Sequence, residues 1–223
     1  MAIPPSIPAR IYLIRHGETE WSLSGQHTGR TDIPFTGHGE DEARWLAPWL
    51  RNISFVRVLT SPSQRARRTC ELVGLGGAAH LEPDLAEWDY GDYEGRRSAD
   101  ISKERPGWNL FRDGVPNGES LIQISTRVDR LLSHLRPLNG DVALFSHGHI
   151  SRVLAARWIG LPVSEGQHLS LDTGSLSILG SDAHHPELPI IELWNARPET
   201  LATTTELPPL LLGGQRPNPR KPG

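Results

Sequence analysis

The chain is nearly without lysine: of its 23 basic residues only Lys103 and Lys221 are lysines, and the rest are arginines. Arginine is a planar, permanently charged fork suited to bidentate contact with anions. Cysteine is scarcer still, with Cys70 alone. One cysteine excludes an intramolecular disulfide and any cysteine-rich zinc site, and it fits a reducing compartment. No apolar run approaches the roughly 20 residues that cross a bilayer, and residues 1–8 lack the charged start and apolar stretch of a secretory leader. Neither sign of charge is in excess, since 26 acids against 23 bases leave −3. General electrostatic attraction to nucleic acid or to a membrane surface is therefore not expected. The expectation is a soluble, cytoplasmic protein with no nucleic-acid or membrane partner. A length of 223 residues suits one well-buried core. No linker interrupts it, so a single domain is expected over residues 1–206, followed at 207–223 by a flexible tail rich in proline, glycine and arginine.

Short apolar runs alternate with helix-period segments, the pattern of an α/β layered fold. Strands are expected at 11–14, 56–60, 142–145, 176–179 and 190–194. Thr36 can cap a helix to residue 50, in which Ala43, Leu46, Ala47 and Leu50 share a face. Ser61-Pro62 reads as an N-cap with a proline at the first helical position, opening a helix through Arg65 to residue 73. The clearest helix spans 121–135, and another follows from about residue 150 to 158. Residues 84–118, rich in glycine, tryptophan and charge, read as an insertion facing a substrate rather than as scaffold.

Three expected strands end in titratable clusters: Arg15-His16-Gly17-Glu18-Thr19, then Ser61-Pro62 with Arg65, then Ser146-His147-Gly148-His149. Ligands of parallel sheets collect at the carboxyl ends of strands, so these clusters can meet although they lie far apart in the chain. Two histidines, two arginines and a helix N-terminus make an anion site, and the phosphoryl group is the anion that needs that much positive charge.

Arg15-His16-Gly17-Glu18-Thr19 resembles the signature of the histidine phosphatase superfamily, also called phosphoglycerate-mutase-like. The stretch from Ser61 to Thr69, Glu87 before Tyr90-Gly91, and Ser146-His147-Gly148 match in order over roughly residues 10–180. The resemblance implies a three-layer α/β/α sandwich, its central sheet mostly parallel with helices on both faces. It implies that His16 is a nucleophile forming phosphohistidine and that Arg15 and Arg65 grip the non-bridging oxygens. His147, protonated, would stabilise the same oxygens, and Glu87 would protonate the leaving group and then activate water. No cofactor and no metal is implied, and the partner is a small phosphorylated molecule.

A closer resemblance, carried by Trp21 to Gly29 and by Glu87 to Gly95, is to a subgroup that includes fungal-type sedoheptulose-1,7-bisphosphatases and bacterial acid phosphatases. Ser22, Thr28, Gly29, Tyr90 and Gly148 become candidate substrate contacts. Ser22 stands where the wider family commonly has an asparagine, leaving one hydroxyl donor. Trp88 and Asp89 replace a basic pair typical of the mutases, which favours a phosphatase over a phosphoglycerate mutase. A non-catalytic phospholigand binder is a third reading, disfavoured because a binder needs no acid at Glu87. Arg96, Arg97, Lys103, Arg105 and Arg112 are expected as solvated surface, the alternative being a second anion contact. His149 reads as a helix-start residue, Cys70 and the tryptophans Trp45, Trp49 and Trp158 as packing, and His184-His185 as surface.

Overall fold

Four consecutive apolar residues, Ile11 to Ile14, are all buried. A strand covered on both faces must lie in the middle of a sheet. The computed structural model describes residues 10–197. The chain runs β1 (Ile11–Arg15), α1 (Glu20–Ser24), α2 (Gly37–Leu50), β2 (Arg57–Thr60), α3 (Gln64–Leu72), β3 (Ala79–Leu81), α4 (Ser98–Glu104), α5 (Leu110–Asp113), α6 (Leu121–Leu135), β4 (Val142–Ser146), α7 (Gly148–Trp158), β5 (Leu176–Ser181) and β6 (Pro189–Ala196). The strand order is β3-β2-β4-β1-β5-β6. The first four are parallel to one another; β5 runs antiparallel to β1, and β6 antiparallel to β5.

Alternation along the strands divides the core between two faces. Ile11, Leu13, Val142 and Leu144 pack with α6, α7 and the 84–118 segment. Tyr12, Ile14, Ala143 and Phe145 pack with α2 and α3. This is the expected three-layer α/β/α sandwich with a mostly parallel sheet. None of the described helices is long and apolar enough to cross a membrane.

Three expectations need correction, and one strand was not foreseen. The 84–118 segment is scaffold as well as site wall, because Leu85, Trp88, Tyr93, Ile101, Trp108, Leu110 and Phe111 are all buried in the core. Its tryptophans satisfy their indole N–H groups on the carbonyls of Glu119 and Gly114, which lets large rings enter the interior. α3 begins after Ser63 rather than Ser61; the Ser61 hydroxyl accepts from the Ser63 N–H and from His147 in the turn before it. β2 starts at Arg57, one residue late, leaving Val56 half exposed. β3 escapes sequence reading, since three residues at a sheet edge, two of them exposed, carry no alternation. The expected tail at 207–223 lies outside the described residues.

The remaining packing assignments hold. Cys70 is buried, and burial pushes its thiol up to about 12. Trp49 and Trp158 are buried, while Trp45 lies partly exposed against His38. The backbone N–H groups of His184 and His185 close a surface turn on Asp182.

The loop after β1 lies directly on the first turn of α2. A Cβ on Gly17 would sit 2.1 Å from the Gly39 carbonyl oxygen. Two backbones at that separation leave no room for a side chain. Gly17→Ala is expected to destabilise the fold by about 3 kcal/mol, the upper end of overpacking costs, read as a lowered urea midpoint with an unchanged slope.

Candidate functional site

Register explains how residues 131 positions apart meet. Arg15 pairs with Ser146 across β1 and β4, so the residues that follow, His16 and His147, emerge side by side with ring centroids 5.2 Å apart. β2 ends level with them, its Thr60 opposite Phe145, and delivers Ser61. His147 is the N-cap of α7.

Hydrogen-bond chemistry decides the tautomers. His16 Nδ1 lies 2.7 Å from the Gly17 carbonyl oxygen. A carbonyl only accepts, so Nδ1 carries the proton and Nε2 keeps its lone pair. The Arg65 Nε–H donates to His147 Nδ1 at 3.1 Å. Nδ1 must therefore be bare, and Nε2–H donates to the Ser61 hydroxyl at 2.7 Å. Burial, reinforced by the Arg65 guanidinium, holds both imidazoles well below their ordinary value. The expectation of a protonated His147 is thus corrected: both rings are neutral, and His16 presents an unprotonated nitrogen.

Arg15 donates from a terminal nitrogen to the Leu171 carbonyl, while its buried Nε–H has no hydrogen-bond partner among the described residues. A buried N–H without an acceptor is costly, and an incoming anion oxygen would satisfy it. Arg65 is spent differently. Besides His147 it donates to the carbonyls of Thr28, Gly29 and Thr31, so its donors tie down the 28–31 loop rather than facing the cavity.

Glu87 is nearly buried at the N-terminus of α7. Its Oε1 accepts from the N–H groups of Trp88 and Ile150, and Oε2 from that of His149, each at 2.9 Å. Oε1 has both lone pairs used, so the free position on the carboxyl lies on Oε2.

These residues border a cavity of about 200 Å³ lined by Arg15, His16 and Glu87 at one part and by His27, Ser98, His149 and Arg152 at others. Of the candidate substrate contacts, Ser22, Thr28, Tyr90 and Gly148 line it and Gly29 does not. The Gly29 N–H donates to the Glu94 carboxylate and its carbonyl accepts from Arg65, so it builds the wall from behind. The Ser22 hydroxyl is also committed: it accepts from the Thr19 N–H at 2.8 Å and donates to the Thr19 carbonyl at 2.9 Å, closing a capping box on α1. Its expected donor to the substrate is therefore already used. Neither Arg65 nor His147 lines the cavity.

Sequence reading missed His27 and Arg152. Arg152 follows Gly148 by four residues on α7, a helical spacing that could have placed it on the same face. Its Nε and one terminal nitrogen donate to the Gly166 and Gln167 carbonyls, and the guanidinium lies over the Phe111 ring. His27 stacks on Tyr90 with ring centroids 4.6 Å apart. His149 lines the cavity and meets the Tyr90 hydroxyl at 2.6 Å. The five basic residues of the 84–118 segment stay at the surface: Arg96, Arg97, Lys103 and Arg112 pair with Glu104, Asp100, Asp100 and Asp113, and Arg105 donates to the Tyr93 hydroxyl.

One more carboxylate shapes the rim. Glu42, buried on α2, accepts from the Glu18 N–H through Oε2 and from the Thr173 hydroxyl through Oε1. It joins the loop after β1 to the loop before β5, and burial raises its carboxyl above the usual range.

A family model described as the histidine phosphatase superfamily (branch 1) matches residues 11–196. A sedoheptulose 1,7-bisphosphatase of Saccharomyces cerevisiae is 39% identical over 194 residues, spanning 72% of this chain and 71% of its own. An acid phosphatase of Mycobacterium tuberculosis is 36% identical over 199 residues, spanning 86% and 96%. The solved structure of a Mycobacterium tuberculosis open reading frame product superposes with a TM-score of 0.77 at 34% identity, over 84% of this chain and 97% of that one.

The buried histidines set the acid stability. Burial pushes His27 down to about 4 and holds His16, His147 and His149 well below 6.5. In the unfolded chain each returns toward 6.5, so below that pH the unfolded state binds more protons than the native one. Stability is complete above about pH 6.5 and falls on acidification by about 1.4 kcal/mol per pH unit for each such histidine. Denaturant titrations are expected to show the midpoint dropping between pH 7 and 5, with more than one proton taken up on unfolding at pH 5. A flat midpoint over that window would contradict neutral burial.

Proposed function

Because this chain belongs to branch 1 of the histidine phosphatase superfamily, we propose that it hydrolyses phosphomonoesters of small sugars or sugar acids through phosphohistidine, without a metal. The observation that carries this reading is the unprotonated His16 Nε2, held in its tautomer by Gly17 beside the unpartnered Arg15 Nε–H, in a cavity that also exposes Glu87. His16 Nε2 attacks phosphorus as the ester P–O bond breaks. The departing alkoxide takes a proton from Glu87 Oε2. Glu87 then removes a proton from water, the water oxygen attacks phosphorus, and the N–P bond breaks to release phosphate. Arg15 would meet the oxygens directly. Arg65 would act from behind His147 as fixed positive charge, preorganised by its carbonyl partners. Among the described residues no group of three or more His, Cys, Asp or Glu side chains is placed to hold an ion, and the EDTA experiment below tests metal independence.

The similarity to a bisphosphatase and the position of Arg152 favour a substrate with a second anionic group. The cavity's other positive charge comes from Arg15, since burial holds His27 and His149 well below their ordinary value. A mutase has to hold a bisphosphorylated intermediate in two orientations while water is excluded, and one further arginine is little for that task. Trp88 is not evidence on this point, because its ring is buried in the core. Asp89, paired with Arg30, is the part of the replaced pair that reaches the surface.

The decisive experiment follows phosphate release from mono- and bisphosphorylated sugars in EDTA, with acid quenching to trap the intermediate. The parent protein is expected to turn over and to yield an acid-labile phosphoenzyme. His16→Ala should yield none and lose at least about a thousandfold in kcat. Turnover that requires added magnesium, or isomerised phosphoglycerate as the main product, would overturn the reading.

Arg152→Leu is expected to raise KM for bisphosphorylated sugars about tenfold or more, the order of one charge-assisted hydrogen bond, while changing KM for the matched monophosphates less than threefold. Steady-state kinetics on matched pairs checks this.

A further inference from the structure

Glu87 sits in a segment with little regular structure of its own, between β3 and α4. The backbone carbonyls of the three residues before it are nonetheless met by side chains from elsewhere. The Leu85 carbonyl accepts from the Ser146 hydroxyl at 2.8 Å. The carbonyls of Asp84 and Ala86 both accept from one terminal nitrogen of Arg127, on α6, at 2.8 and 2.7 Å. The other two nitrogens of that guanidinium grip Glu119 in a bidentate pair at 2.8 and 2.7 Å. Glu119 in turn closes on the same segment from its far side: its carbonyl accepts from the Trp88 indole at 2.7 Å and its N–H donates to the Asp89 carbonyl at 2.9 Å. Arg127 and Glu119 are each only about one-seventh exposed, 13% and 14% at the side chain.

We infer that Arg127, through its pair with Glu119, is a positioning residue for Glu87. The inference rests on the proposed role of Glu87 as general acid. Arg127 binds the carbonyl immediately before Glu87, and Glu119 holds the residues immediately after it. The N-terminus of α7 holds the carboxyl itself, and the clamp fixes the backbone on both sides from which that carboxyl reaches the cavity. A second cavity, lined by Arg127, Glu119 and Gly118 among others, also borders Glu87. Arg127 and Glu119 thus share with the acid the wall of a space into which the segment could otherwise relax. Arg127 does not line the substrate cavity; its charge also lowers the His147 imidazole, an effect that Arg127→Lys retains and that does not depend on the leaving group.

General acids matter in proportion to how poor the leaving group is, which separates this role from plain structural support. The test measures kcat/KM for a sugar phosphate and for p-nitrophenyl phosphate in parent, Glu87→Gln, Arg127→Leu, Arg127→Lys and Glu119→Gln proteins. Glu87→Gln first establishes the acid: it should depress the sugar phosphate at least about a hundredfold while p-nitrophenyl phosphate loses little. Arg127→Leu is expected to lose about tenfold or more on the sugar phosphate and less than threefold on p-nitrophenyl phosphate. Arg127→Lys restores charge but not the fork, and should recover stability without recovering the leaving-group split. If Arg127→Leu does not fold, Arg127→Lys and Glu119→Gln carry the same comparison. Equal losses on both substrates in the clamp variants, with the split present in Glu87→Gln, would overturn the positioning role alone. Absence of the split in Glu87→Gln would instead overturn the acid assignment on which it rests.

Discussion

One buried guanidinium organises the site. Arg65 joins three pieces of chain that have no regular structure in common: α3, which carries it, the 28–31 loop through three carbonyls, and His147 at the end of β4 through its ring nitrogen. Removing its charge from water is costly, and that cost is offset only while each donor keeps its acceptor. The arrangement therefore locks as a unit. It also sets the His147 tautomer, which sets the orientation of the Ser61 hydroxyl. The same hydroxyl also accepts from the Ser63 N–H, so Ser61 closes the turn that leads into α3 while serving His147.

The positive charge of the site is almost entirely arginine. Burial lowers the affinity of Arg15, Arg65 and Arg152 for their protons, yet a guanidinium stays charged under such pressure where lysine would yield. The imidazoles yield instead. A division of labour results, with permanent cations fixed by backbone carbonyls around neutral, nucleophilic or hydrogen-bonding rings. A chain with 21 arginines and two lysines is well provided for such a site.

Much of this was legible in the residues. The strand-end clusters that meet at Arg15, His16, Ser61 and His147 were visible because central parallel strands are apolar throughout and end abruptly in charge. Glu87 was visible only through resemblance, since an isolated acid in a loop has no pattern of its own. Three of the site assignments meet the same obstacle. Ser22, Gly29 and Arg65 have the right chemistry to touch an anion, but their donors are already engaged by Thr19, Glu94 and backbone carbonyls. Sequence shows which groups a residue carries and not which are already spent. Arg152 and Arg127 were missed for the converse reason: each lies on a helix where an arginine looks like solvated surface, and only tertiary packing turns it inward.

Glu42 has a bearing on how this protein could change over time. A single carboxylate holds the backbone after β1 with one oxygen and the loop before β5 with the other. The two loops, 24 and 131 positions from Glu42 in the chain, also meet directly where the Gly174 N–H donates to the His16 carbonyl, and Glu42 couples them further out. A substitution tolerated in one loop alters the strain felt by the other, so the effects of mutations at Glu18 and Thr173 should not add. Drift at this rim is constrained to paired steps, and the set of sequences reachable one substitution at a time is smaller than the exposure of either loop would indicate.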